Sequence, residues 1–261
     1  MTNTQVTLVQ LDNYGPWTVT PEPRREPDLQ ALQAGLYADL ATRFGAHDGY
    51  VFFARFDNVV AVTNGTDRAD HERVQAAMRA RHPVTVSLST ATGETPRAAL
   101  AAATEKLQAT GGAQDPGRTE SLRWDVEDAG GGVQLAHFDV VDATARYTDR
   151  EDAYTTLLSI QRTGLALADH LYSRGALSFF VGGDNVIAVC PDLGRDDYEA
   201  AIEHVRETVG VDLRVGVGRG DTATEAGLAA KYALEECREN GDAVAGDLSA
   251  ERSSSTPLSE R

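Results

Sequence analysis

Four aspartates carry the first chemical signal in this sequence. Asp12 closes the apolar run Val6 to Leu11, and Asp57 lies 45 residues further on, in a turn between two more apolar runs. Asp139 and Asp184 repeat that 45-residue spacing after Val133 to Phe138 and Phe179 to Gly183. Two carboxylates that converge at about 4–6 Å repel strongly and shift each other's pKa unless a cation lies between them. Mg²⁺ is the natural filler: it takes oxygen ligands and usually combines one or two carboxylates with substrate phosphates. Two such ions can polarise a phosphate and activate water together. A single aspartate at a strand end or hairpin tip is more commonly a turn residue. The matched pairs, Asp12 with Asp57 and Asp139 with Asp184, are therefore the candidate metal ligands.

The stretch after Asp12 offers a second kind of chemistry. Asn13-Tyr14-Gly15-Pro16-Trp17-Thr18 reads as a loop running towards a helix. Free amides at a helix start suit phosphate, and Arg24 and Arg25 could add charge-assisted contacts. Tyr14, Trp17, Phe52 and Phe53 have faces on which a base could stack, although aromatics along a strand more commonly fill a core. His137, beside Asp139, is a candidate base, although a lone strand histidine is more commonly structural. The two cysteines and six histidines fall in no CxxC, HxH or HExxH spacing, so the expected metal is a hard, oxygen-ligated ion. No Walker loop and no GxSxG nucleophile occurs.

The elements that must position these residues come from a duplication. At an offset of 127, Asp12 falls on Asp139, Asp57-Asn58-Val59 on Asp184-Asn185-Val186, Phe52-Phe53 on Phe179-Phe180, and Gly93 and Thr95 on Gly220 and Thr222. One offset is read as holding from the first strand to the last helix. Each half reads as a strand, a helix (Asp28 to Phe44; Ala153 to Ser173), a hairpin, a second helix, a strand and a closing Ala-rich helix. That order, βαββαβ followed by a helix, is a ferredoxin-like split unit. The expected fold class is α+β, with two tandem ferredoxin-like domains built on antiparallel sheets. The domains span 1–112 and 132–245, joined by a linker over 113–131 rich in Gly, Asp and Pro-Gly. The polar residues 246–261 are expected to be a disordered tail.

Composition narrows the function classes. A hydrophobic fraction of 41% supports real cores. No apolar run approaches the ~20 residues of a bilayer span, and Met1 to Leu11 lacks signal-peptide character, so a cytoplasmic protein with no membrane contact is expected. The net charge of −16 repels nucleic-acid backbones, so no nucleic-acid partner is expected. Only Lys106 and Lys231 are lysines among 24 basic residues. Such an acidic, Lys-poor surface reads as an adaptation to molar salt, where the Debye length falls to ~3 Å.

Two resemblances follow from these motifs. Phe179-Phe180-Val181-Gly182-Gly183-Asp184-Asn185 resembles the hairpin of GGDEF-type diguanylate cyclases, as do Val215 to Gly218 and Ala229 to Leu234. Asn185 replaces the acidic fourth residue of that motif, and the duplication is foreign to it. The sequence is more similar to the archaeal-type GTP cyclohydrolase family. Val9 to Pro21, Pro23-Arg24-Arg25-Glu26, Asp28 to Gln33, Phe56-Asp57-Asn58 and Gly182-Gly183-Asp184-Asn185 carry that likeness over nearly the whole chain.

This resemblance implies palm-like domains, nucleotidyl-cyclase-like in architecture, and GTP as substrate. It implies hydrolytic opening of the imidazole ring with carbon 8 retained as a formyl group. Release of the terminal phosphates would give a formamidopyrimidine ribonucleotide monophosphate for flavin and deazaflavin synthesis. It also implies Mg²⁺, help from a monovalent cation such as K⁺, and a homo-oligomer, dimer or tetramer. By carry-over, Asp12, Asp57, Asp139 and Asp184 are metal ligands, and Asn13 to Thr18, Arg24, Arg25, Asn58, Gly182, Gly183 and Asn185 nucleotide contacts. Catalytic proton donors stay unassigned. A GGDEF-like cyclase and a non-catalytic guanine-nucleotide module are the alternatives, and chromatography separates a cyclase because its product keeps the purine spectrum.

Overall fold

The computed structural model describes residues 3–126 and 132–248. Its first half contains β1 (Thr4–Leu11), α1 (Tyr14–Val19), α2 (Glu26–Gly45), β2 (Tyr50–Arg55), β3 (Asn58–Val62), α3 (Arg68–Arg81), β4 (Val86–Gly93), α4 (Pro96–Gln108) and β5 (Leu122–Asp125). The second contains β6 (Val133–Val140), α5 (Ala153–Ser173), β7 (Leu177–Gly182), β8 (Asn185–Cys190), α6 (Arg195–Val209), β9 (Leu213–Gly220), α7 (Ala223–Asn240) and β10 (Val244–Gly246). A five-residue π-helical turn, Thr144–Thr148, precedes α5.

The strand orders are β2-β3-β1-β4-β5 and β7-β8-β6-β9-β10, the same ferredoxin-like arrangement twice. The first four strands of each sheet pair antiparallel, as expected, but each sheet gains a fifth strand, β5 or β10, that runs parallel to its partner. Residues 113–131, read as a linker, therefore supply a strand to the first sheet, and the second domain runs past residue 245. Most of the expected tail, 249–261, lies outside the described residues.

Side-chain alternation explains the layering. On β1, Val9 and Leu11 face α2 and α3, where Leu36, Leu40, Phe44, Val74 and Met78 complete one core. Val6 and Leu8 face the other way, towards Ala99, Ala103 and Leu107 of α4. The second half repeats this, with α5 and α6 on one face of its sheet and α7 on the other. Helix starts match as well: Thr95 and Thr222 each cap their helix by accepting the amide three residues on.

The two halves pack through their α4 and α7 sides about a local two-fold axis. Phe52 and Phe179, repeat equivalents, stack at 4.6 Å with planes 6° apart. The Arg97 amide donates to the Gly175 carbonyl at 3.0 Å, and its counterpart, the Thr224 amide, donates to Asp48 at 3.0 Å. Phe52, Val62, Val133, Leu135 and Val189 close a shared core around this axis.

The single offset of 127 does not survive the strand register. Val9 pairs with Val59 where Phe138 pairs with Val186, and Leu8 with Ser89 where His137 pairs with Gly216. The hairpins and last strands keep the offset of 127, but the first strands differ by 129. Gln10, not Asp12, thus occupies the place of Asp139, and Asn13 that of Asp142. Asn13 and Asp142 both turn with φ 54, which marks the same exit from the strand.

Helix α7 lies against β9 with no side chain between them at two points. A Cβ on Gly216 would run into the Ala230 carbonyl and the Leu234 amide, and one on Gly218 into the Ala226 carbonyl. The first half carries Ser89 and Ala91 at these positions. Gly216→Val is expected to cost about 2–3 kcal/mol by overpacking. Ser89→Ala, which removes a buried hydroxyl without a partner, should be neutral or stabilising. Denaturant melts of the two variants check both.

Candidate functional site

The second half brings its aspartate pair together. Asp139, next to last in β6, faces α7, and Asp184 sits in the β7–β8 turn. The turn is possible because Gly182 and Gly183 adopt φ 116 and 63, which side chains rarely tolerate. Burial pushes the Asp184 carboxyl above its ordinary pKa, and the charge of Asp139 and a hydrogen bond with it push the same way, against backbone hydrogen bonds. Arg238 of α7 grips Asp139 in a fork, with Nη2 3.0 Å from Oδ1 and Nε 3.3 Å from Oδ2. Arg214 of β9 lies 3.6 Å from the same carboxylate.

Two cavities meet at Arg238. One, about 410 Å³, is lined by Asp139, Asp142, Asp149, Asp184 and Arg214. The other, about 350 Å³, is lined by His137, Val181, Asn185, Lys231, Leu234 and Glu235. His137 Nε2 lies 3.0 Å from Asn185 Oδ1, so with that oxygen as acceptor the proton sits on Nε2 and Nδ1 keeps its lone pair. Burial lowers the His137 pKa, partly offset by Asn185 and Asp139, which keeps the ring neutral near pH 7.

In the first half the two aspartates lie on neighbouring segments, the Leu11 amide donating to the Asp57 carbonyl at 3.0 Å, and their carboxylates take different partners. Asp12 is buried, and its carboxylate accepts from Thr85 Oγ1 at 2.8 Å and Ser87 Oγ at 2.7 Å. It also forms a buried ion pair with Arg118 at 3.0 Å. Asp57 is held separately, by Arg55 at 3.1 Å and Asn58 Nδ2 at 2.9 Å. Between them Gln10 donates to Asn58 Oδ1 at 3.0 Å and accepts from Arg118 at 2.9 Å. A neutral amide thus stands where the second half has a carboxylate. A cavity of about 310 Å³, lined by Leu8, Gln10, Arg55, Asn58, Leu107 and Gln108, is the counterpart of the groove around His137.

The expected nucleotide contacts divide among three places. Gly182 and Asn185 line the second-half groove, with Gly183 in the turn between them and Asn185 Nδ2 3.5 Å from the Gly182 carbonyl, while Asn58 lines the first-half cavity. Asn13 to Thr18 is not a loop: Tyr14–Val19 forms α1, whose start is met by the former linker. Gln114 Oε1 accepts the Gly15 amide at 2.7 Å, the Asn13 amide donates to Ala113, and the Thr18 hydroxyl donates to the Gly15 carbonyl. Pro16 lies within that helix. Arg24 stacks 3.8 Å over the Trp17 ring and donates to its carbonyl, Tyr14 stacks on Trp17 at 6.2 Å, and Arg25 pairs with Asp28. These residues form one cluster, with Arg24 and Arg25 already engaged by protein groups.

Sequence reasoning missed the α7 contribution. Lys231, Glu235 and Arg238 follow at i, i+4 and i+7 and so share one helix face, a signal that was available. Asp142 and Arg214 had no comparable pattern, and Arg118 lay in a stretch read as linker.

The donor chemistry decides where a divalent cation fits. Asp139 and Asp184 are crowded carboxylates with Arg238 engaging only the first, so Asp184 keeps an uncompensated charge that a cation would neutralise. Asp12 already has Arg118 as buried counter-ion, and Asp57 has Arg55. Among the described residues no cluster of three or more His, Cys, Asp or Glu forms, so further ligands would come from backbone, water or substrate.

Comparison with known proteins gives a consistent result. Residues 6–252 match the family profile described as GTP cyclohydrolase III. The chain is 58% identical over 249 residues to GTP cyclohydrolase III 1 of Halobacterium salinarum, covering 94% of this chain and 98% of that protein. It is 56% identical to GTP cyclohydrolase III of Natronomonas pharaonis, over the same shares of the two chains. For GTP cyclohydrolase III of Methanococcus vannielii the identity is 48%, covering 90% and 89%. A solved structure of the coiled coil and GGDEF domain of DgcB from Caulobacter crescentus, in complex with c-di-GMP, has a TM-score of 0.40. Its identity is 14%, over 46% of this chain and 72% of that one.

The two aspartates should respond oppositely to neutralisation in metal-free buffer. Asp12→Asn leaves Arg118 buried without a counter-charge and should cost about 3 kcal/mol. Because its folded pKa is raised, ionised Asp184 lowers stability as pH climbs from the ordinary carboxylate value of about 4. Asp184→Asn should therefore raise the melting temperature at neutral pH, by a margin that solvent screening of this half-exposed group keeps small. That gain should vanish on acidification. Thermal melts with EDTA between pH 4 and 8 check both signs.

Proposed function

Because the chain belongs to the GTP cyclohydrolase III family, we propose that it opens the imidazole ring of GTP hydrolytically. The carbon 8 atom stays on the product as a formyl group, and the terminal phosphates leave. One water adds across the ring bond and one is consumed for each phosphate released. The product is a formamidopyrimidine ribonucleotide monophosphate, suited to an early step of flavin or deazaflavin synthesis.

The observation that carries this reading is the Asp139–Asp184 pair, which lines one of the two cavities that meet at Arg238. These two carboxylates would hold Mg²⁺, which supplies Lewis-acid polarisation of phosphate oxygens and neutralises triphosphate charge. Arg238, fixed by Asp139, and Lys231, two turns earlier on α7, give the groove the positive charge that a triphosphate needs. Val181 and Leu234 offer apolar walls for the purine, while Glu235 and Asn185 offer acceptors for its N–H edge. His137 can take a proton from water at Nδ1, because its ring is held neutral and its other nitrogen is tied to Asn185.

Assistance by K⁺ and a cytoplasmic location belong to the same reading. Among the described residues no helix is long and apolar enough to cross a membrane, and an acidic surface suits a salt-rich interior.

Incubation with GTP, Mg²⁺ and molar KCl should abolish the guanine absorbance and release phosphate without free formate. EDTA, Asp139→Asn or Asp184→Asn should stop both, and replacing K⁺ by tetramethylammonium should slow them. Intact GTP after prolonged incubation, or a product that keeps the purine spectrum, would count against the assignment.

A further inference from the structure

The first half keeps a groove whose reactive groups have gone. Residues that line the groove around His137 have counterparts lining the first-half cavity: Asn185 matches Asn58, Leu234 matches Leu107 and Val181 matches Ala54. The ionisable residues are not kept. At the offset of 127, Thr104 stands for Lys231, Gln108 for Glu235 and Gly111 for Arg238. In the strand register Leu8 stands for His137, beside Gln10 in the place of Asp139. The cavity nevertheless stays open, at about 310 Å³ against about 350 Å³. Charge, not space, separates the two grooves.

The first-half groove also reaches further. A cavity of about 240 Å³ adjoins it through Ala54, Val60 and Leu100, which line both. The far wall belongs to the other half: Asp169 and Tyr172 of α5, Ser178 and Phe179 of β7. The Ser178 hydroxyl oxygen is buried without a hydrogen-bond partner, which costs stability until some polar group meets it. Across the local two-fold axis the equivalent space is closed. Tyr50 stands where β7 has Leu177, and its ring lies so close to Gly227, the counterpart of Leu100, that a Cβ there would collide with it.

We propose that this two-part groove is a second ligand site, which takes an uncharged purine nucleoside and no metal ion. Leu8, Val60 and Leu107 give a flat ring apolar walls, and Thr104 and Gln108 can both donate and accept along its edge. Ser178 and Asp169 lie in the adjoining cavity, where ribose hydroxyls would extend and meet the unpartnered oxygen. A phosphate finds no unpaired cation. Arg55, the one charged residue lining the larger cavity, is held by Asp57 at 3.1 Å, and Asp169 opposes an anion at the other end. A nucleoside bound here touches both halves and braces the contact between them. The choice of a purine rests on the reading of the second-half groove given above; the preference for an uncharged ring does not.

Equilibrium dialysis of the full chain against radiolabelled guanosine, in molar KCl with EDTA, tests the site. The wild type and Lys231→Trp, which obstructs the second-half groove, should both bind. Thr104→Trp should bind roughly 10-fold or more weakly, with an unchanged circular dichroism spectrum. Gln108→Trp, on the same wall but exposed, should give the same loss and serves if the first variant does not fold. No binding by the wild type, or binding undiminished in both first-half variants, would overturn the proposal. Loss of binding in Lys231→Trp alone would overturn it as well. Incubating the same wild-type sample with GTP and Mg²⁺ keeps the two readings apart. Turnover without guanosine binding sinks this inference alone, while guanosine binding that is lost in Thr104→Trp supports it even where GTP stays intact.

Discussion

The repulsion between Asp139 and Asp184 is the constraint around which the second half is arranged. A strand and a hairpin turn 45 residues apart deliver two carboxylates to one spot, and burial raises the cost of ionising both. Arg238 answers part of that cost by gripping Asp139. It can do so because α7 lies hard against β9, where Gly216 and Gly218 leave no side chain between helix and sheet. The same close contact fixes Lys231 and Glu235 along the groove. Site and packing are thus one problem: moving α7 outward would withdraw the arginine and leave the pair less compensated.

The first half shows what the module becomes when that constraint is relaxed. Gln10 replaces the strand carboxylate, and amide hydrogen bonds link it to Asn58 and Arg118. Asp12, two residues later, is neutralised inside the protein by Arg118 and two hydroxyls. Its segment is then sealed by α1 and by the chain that follows α4. The halves share sheet order, the threonine cap of the closing helix and a two-fold interface, yet among the described residues they treat their aspartates differently. Sequence equivalence and chemical equivalence separate at a single strand.

Much of this was legible in the sequence. The duplication followed from residue matches at a fixed offset, the βαββαβ order and the helix limits from apolar periodicity, and α5 spans the expected Ala153–Ser173. Asp139 with Asp184 followed from matched spacing. The register of the first strand did not, because Asp12 and Asp139 align at the same offset as the hairpins while the ladder shifts them apart by two residues. Identity of residue type masked a difference of position that only backbone pairing reveals. The fifth strands were hidden for a related reason: β5 and β10 are short edge strands in Gly- and Asp-rich stretches, where turn composition outweighs any period-two signal. Cooperation between α7 and β6 is a tertiary fact, although its i, i+4, i+7 spacing could have flagged it.

We propose that Asp139 and Asp184, and not Asp12 and Asp57, hold the divalent cation. Mn²⁺, a paramagnetic stand-in for Mg²⁺, allows binding to be read directly by electron paramagnetic resonance, without relying on turnover. Titration of the wild type, Asp57→Asn and Asp184→Asn should give a bound-ion signal for the first two and none for the third. A signal that persists in Asp184→Asn but disappears in Asp57→Asn would contradict the account.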